Sequence, residues 1–124
     1  MKKVILVVED PRPDEIVDAV KDAIDMALEG GMELNIVFYR DPVELLSCSS
    51  NGKSEEAVKR ILKEAMETAS ARLIVVGESL AVRGITCIDP KPSSIVGSLR
   101  EVLDILDDAI VVKLGSTCPH GVRV

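Results

Sequence analysis

At 124 residues, 47% hydrophobic and 29% charged, the chain has the size and balance of one soluble globular domain, and 2% aromatics leave it an aliphatic core. A net charge of -6 and a pI near 4.8 exclude the basic footprint of a nucleic-acid binder, and Phe38 and Tyr39 are too few rings to stack bases. The opening apolar run, Val4 to Val8, is far short of the ~18 residues of a membrane span, and Glu9-Asp10 ends it, so a cytoplasmic protein without membrane or nucleic-acid partners is expected.

Val4-Ile-Leu-Val-Val8 reads as a strand buried on both faces. Asp10-Pro-Arg-Pro-Asp14 breaks it and opens a helix, with Asp10 a candidate cap. That helix places Ile16, Val20, Ala23, Ile24, Ala27 and Leu28 on one face and ends at Gly30-Gly31. Leu34 to Tyr39 is a second strand, and Asp41-Pro-Val-Glu44 is a capping box for a short helix through Leu46. A polar loop, Ser47 to Lys53, precedes a third helix capped by Ser54 with Val58, Ile61, Leu62, Ala65, Met66 and Ala69 inward. Leu73 to Val76 is the third strand, and Gly77 to Ser94 is irregular, with Gly84, Pro90 and Pro92 as breakers. Ser98-Leu-Arg-Glu101 is a second capping box, whose helix buries Leu99, Val102, Leu103 and Leu106 ahead of a last strand, Ala109 to Leu114. Residues 1–114 thus form one α/β domain, and 115–124 a loosely held tail.

Alternating strands and helices predict a three-layer α/β/α domain around a mainly parallel sheet of four to five strands, flavodoxin-like in class. In such sheets ligands gather at the carboxyl ends of the strands, and a switch point is expected between strands one and three. Candidate ligand-binding residues are therefore Glu9, Asp10, Arg40, Gly77, Glu78, Ser79 and Gly84. Asp10 as a plain helix cap, and Arg83 as a surface ion-pair partner, are the simpler alternatives. No phosphate loop, dinucleotide glycine pattern or nucleophile elbow is present, so no cofactor is expected.

Cys48, Cys87 and Cys118 are odd in number and widely spaced, which predicts neither a disulfide framework nor a zinc site, and His120 alone cannot anchor a metal. Cys87, near Arg83, is the candidate reactive thiol; a buried, inert cysteine between Ile85 and Ile88 is the alternative. Cys118-Pro-His120 resembles half of a thioredoxin-type motif but stands in the tail.

The chain resembles the DsrE-like sulfur-relay family, its YchN-like and TusD-like members included, over Lys3 to Leu114. The residues that carry the likeness are the opening strand and helix, Asn35-Ile-Val-Phe-Tyr-Arg-Asp-Pro-Val43, strand three, Arg83-Gly84-Ile85, and Ile95-Val-Gly-Ser-Leu-Arg-Glu-Val-Leu103. The resemblance implies intracellular persulfide transfer, homo-oligomers (trimers or hexamers), and a sulfur donor or acceptor protein as partner. It places the family's strand-end cysteine on Val76 or Gly77 and a second one on Ser79, none of which carries sulfur. Either Cys87, with Arg83 as catalytic partner, or Cys48 has replaced it, or the chain is a non-catalytic subunit. The chain also looks similar to universal stress proteins at Val4-Ile-Leu-Val-Val-Glu-Asp10 and Gly97-Ser98, which would imply a nucleotide-binding module, although Leu80 and the Pro90–Pro92 stretch depart from that family's glycine pattern.

Overall fold

The computed structural model describes residues 2–9, 12–105 and 109–114. Five strands lie side by side: β1 (Lys3–Val8), β2 (Glu33–Phe38), β3 (Arg72–Val76), β4 (Ser94–Val96) and β5 (Ile110–Leu114), in spatial order β4-β3-β2-β1-β5 with every pair parallel. The helices are α1 (Pro13–Gly30), α2 (Lys53–Thr68), α3 (Gly77–Val82) and α4 (Leu99–Ile105), with a 3-10 helix at Asp41–Leu46.

Alternation along the strands divides the core into two layers. Val4, Leu6, Val8, Leu34, Ile36, Phe38, Leu73 and Val75 face one way and pack with α1 and α2. Ile5, Val7, Val37, Ile74 and Val76 face the other way and pack with Val102 and Leu99 of α4. Strands covered on both faces leave little room for polar residues, which is why β1 and β3 read as apolar runs and Asn35 is the one buried polar residue of β2. The α1 stripe is buried from Ile16 to Ala27, but Leu28 is 53% exposed at the helix end. Likewise Val102 is buried in α4 whereas Leu103, expected inside, is 41% exposed, and Leu106 lies outside the described residues.

Several local readings change. The stretch from Gly77 to Ser94 is not irregular throughout, because it begins with α3 and ends on β4, a fifth strand too short and polar to announce itself. Arg40, not Asp41, stands at the start of the 3-10 helix, since the Asp41 carboxylate is taken by Arg83. Gly52 precedes α2, and Ser54 is already inside it. The Ser98–Glu101 capping box forms as expected: Glu101 accepts from the N–H groups of Gly97 and Ser98 at 2.6 and 3.2 Å, and its own N–H donates to Ser98 Oγ. The winding steps from β1 to β4 in one direction and β5 then joins the far side of β1, so the switch lies between β1 and β5. Strand three is separated from strand one by β2, which corrects the expected switch point.

Truncating Leu62, fully buried on α2 between sheet and α1, leaves a cavity. Leu62→Ala is expected to cost about 2–5 kcal/mol in urea unfolding, against under about 1 kcal/mol for Met26→Ala on the half-exposed flank of α1.

Candidate functional site

The carboxyl tips of β1, β2 and β3 are adjacent, and backbone bonds fasten them: the Tyr39 N–H donates to the Val8 carbonyl at 3.2 Å. Beyond β2 the chain turns sharply at Arg40, whose φ of 67° is unusual for a residue with a side chain. The turn is held from β3's side, because the Arg40 N–H donates to Ser79 Oγ at 2.8 Å and Ser79 is buried. The exposed Arg40 guanidinium stacks 4.9 Å from the centre of the Tyr39 ring.

Gly77 and Glu78 stand where β3 becomes α3. A Cβ at Gly77 would lie 3.2 Å from the Val96 carbonyl and 3.3 Å from Ile95 Cγ2, so glycine is what lets β4 pass this closely. The Glu78 N–H donates to the Gly97 carbonyl, with its side chain exposed. Glu9 is half-buried at the tip of β1. Asp10 lies outside the described residues, and so does the Cys118–His120 segment. Gly84 has φ of 65° and closes the end of α3, where the Ile85 N–H returns to the Leu80 carbonyl.

Arg83 braces this corner. Its guanidinium donates to Asp41 Oδ1 at 2.5 Å and to the Ser79 carbonyl at 3.0 Å. Its Nε lies 3.3 Å from Glu44 Oε2, close enough for charge attraction but not aligned as a hydrogen bond. Arg83 is thus ion-paired with two carboxylates of the 3-10 helix.

The cysteines depart most from expectation. Cys48 and Cys87 are joined by a disulfide, with Cα atoms 5.4 Å apart, and both are exposed. They face each other because Ser47 and Ile88 form an antiparallel bridge. In it the Cys48 N–H donates to the Cys87 carbonyl at 2.9 Å, and the Asp89 N–H to the Leu46 carbonyl at 2.8 Å. Spacing in sequence could not reveal a pair 39 residues apart whose contact depends on two loop segments meeting. Nor is Cys87 buried: Ile85 and Ile88 pack on the core and leave it outside.

Sequence reading also missed Lys59. It lies on α2 beside the apolar stripe, is 3% exposed, and donates from Nζ to the carbonyls of Ser47 at 3.0 Å and Ser50 at 2.5 Å. A lysine at helical spacing before Leu62, on the border of the buried face, was the available signal. Among the described residues no cluster of His, Cys, Asp or Glu is arranged to hold a metal ion, and no helix is long and apolar enough to cross a membrane.

A parallel five-stranded α/β sheet thus carries its polar and sulfur-bearing residues on the segments that leave the tips of β2 and β3. The DsrE/DsrF-like family model matches residues 1–112, and the chain belongs to that family. Among solved structures it is similar to the ychN protein from E. coli, with 18% identity, a TM-score of 0.68, and coverage of 92% of this chain and 100% of that one. No curated protein sequence matches the chain. Nothing in these comparisons favours the nucleotide-binding alternative.

If Cys48 and Cys87 are joined, proteolysis without reductant yields one peptide pair linked through them, and thiol titration of the unfolded, unreduced protein finds one of the three cysteines free. Reduction is expected to lower unfolding free energy by about 2–4 kcal/mol, measured as a shift in the urea midpoint. Ser79→Ala, which removes the acceptor for the Arg40 N–H, is expected to cost about 1 kcal/mol and leave the linked peptide intact.

Proposed function

We propose that this chain carries sulfane sulfur, with Cys87 as the persulfide-bearing thiol and Cys48 as its resolving partner. The observation that carries the reading is the pair itself: two exposed cysteines opposite each other across a two-segment bridge, near enough to bond. Cys87 is taken as the carrier because it follows α3, the continuation of β3, the strand whose end carries the thiol in the family resemblance.

In the forward step the Cys87 thiolate attacks the outer sulfur of a donor persulfide. A new S–S bond forms, the donor's S–S bond breaks, and the donor leaves as thiolate. An acceptor thiolate then takes the outer sulfur and restores the Cys87 thiolate. Without an acceptor, the Cys48 thiolate attacks Cys87 Sγ and displaces hydrosulfide. The two cysteine sulfurs are oxidised to the disulfide as the sulfane sulfur is reduced, so no outside oxidant is required. Arg83 serves as a brace: through Asp41 and Ser79 it ties α3 to the 3-10 helix, and so holds the segments that lead to the two cysteines. Arg40 and Ser79, with Glu9, Asp10, Gly77, Glu78 and Gly84 around them, form the strand-tip surface on which a donor or acceptor protein would rest.

A cytoplasmic location fits this chemistry, since an exposed disulfide in a reducing compartment is a transient, reactive one. Assembly of several copies is supported by the edge strand β5, where Ile110, Val111 and Val112 are 40 to 48% exposed. The absence of sulfur at Val76, Gly77 and Ser79 favours a second reading, a non-catalytic subunit that only helps to build such an assembly.

Incubating the reduced protein with a persulfide donor tests the two readings by intact mass. One added sulfur atom is expected on the parent and on Cys118→Ser, none on Cys87→Ser, and a longer-lived adduct on Cys48→Ser, which has lost its resolving thiol. Absence of an adduct on every variant would leave the non-catalytic subunit as the reading.

A further inference from the structure

The two halves of the cysteine pair stand in different electrostatic surroundings. Ser47 to Ser50 is a closed turn, with the Ser50 N–H donating to the Ser47 carbonyl at 2.9 Å, and Cys48 is its second residue. Directly beneath it lies the Lys59 ammonium, 3% exposed and hydrogen-bonded to the carbonyls at both ends of the turn. Burying a charged ammonium is unfavourable unless polar partners compensate it. Among the described residues no carboxylate is paired with Lys59, so carbonyl dipoles supply the compensation. An anion at Cys48 would complete it.

Among the described residues the segment of Cys87 has no buried cation of its own. Asp89 lies two residues beyond it and is 3.8 Å from Lys63, and the nearest cationic residue along its own segment, Arg83, is committed to Asp41 and Glu44. In the first turn of α2, Glu56 is exposed and screened by water and salt, while Glu55 is half-buried with its carboxylate beside Gly52. Buried Lys59 is screened far less.

We infer that Lys59 is a positioning residue that makes Cys48 the thiolate-prone member of the pair, so that the S–S bond opens toward Cys48 and sulfane sulfur comes to rest on Cys87. The biological meaning rests on the sulfur-carrier reading; the asymmetry itself does not. When hydrosulfide attacks the disulfide, it bonds to Cys87 Sγ, and the electron pair of the breaking bond leaves on Cys48 Sγ as thiolate. The incoming sulfur is oxidised to the sulfane level and the Cys48 sulfur is reduced. The lower-pKa thiol is the better leaving group, which sets this direction.

The test titrates each thiol alone in the reduced full-length protein by the ultraviolet absorbance of its thiolate. Cys87→Ser/Cys118→Ser leaves Cys48, and Cys48→Ser/Cys118→Ser leaves Cys87. Cys48 is expected to ionise about one pH unit below Cys87. Adding Lys59→Met is expected to raise the Cys48 titration by about the same amount without moving Cys87, and Lys59→Arg to restore it. Equal midpoints, or Cys87 ionising first, overturn the inference, and that comparison uses native Lys59 and so does not depend on how the Lys59 variants fold. In a second arm, oxidised Cys118→Ser protein is treated with hydrosulfide, alkylated and digested. Persulfide on Cys87 with a free thiol on Cys48 is expected, and persulfide on Cys48 overturns the assigned direction. If the titration order holds while no donor loads the protein, the carrier reading fails and the role of Lys59 stands.

Discussion

Everything in this molecule depends on β1, β2 and β3 running parallel in a fixed register with both faces dry. Their side chains from Val4 to Val8, Leu34 to Phe38 and Leu73 to Val76 are almost wholly removed from water, so backbone N–H and C=O groups must find one another across the ladder. Asn35 is the exception within this block: it is fully buried, it donates from its amide to Glu33, and its side-chain carbonyl oxygen has no partner among the described residues. A slip of one residue in any strand would exchange the two core faces. That rigidity keeps the strand tips level and lets Ser79, from one strand's end, hold the turn at Arg40 at the end of the next.

From this frame the chemistry moves outward. The tip cluster is tied up internally: Ser79 accepts from Arg40, Arg83 is neutralised by Asp41 and Glu44, and Gly77 is pressed against β4. A side chain added at Gly77 would come within 3.2 Å of the Val96 carbonyl, so β4 would have to give by a few tenths of an ångström to admit one. The sulfur atoms lie instead on the two segments that leave the tips, each about ten residues along the chain from its strand. Ile85 and Ile88, half-buried against the core, and the buried Lys59 anchor these segments from below.

Much of this was legible in the residues, and what was not has a common cause. Apolar runs with helical stripes between them revealed the parallel α/β domain, and Ser98–Glu101 its cap, because those signals are local. The rule that ligands gather at strand ends singled out Arg40 and Ser79, which the structure brings into contact with each other. β4 was missed because Ser94-Ile-Val96 is three residues beside prolines, and its pairing with β3 is a long-range event. The switch position followed from the path of β5, which no local pattern encodes. Cys48, Cys87 and Lys59 become one unit only when the polar loop folds over α2 and meets the segment returning to β4. Sequence reading supplied each member and not their meeting.

The bond between Cys48 and Cys87 closes a covalent ring that contains all of α2, β3 and α3. A peptide bond cut anywhere within that ring leaves a single molecule whose pieces stay tethered. The stretch from α2 to α3 can therefore be nicked without being shed, for as long as the sulfur atoms remain joined.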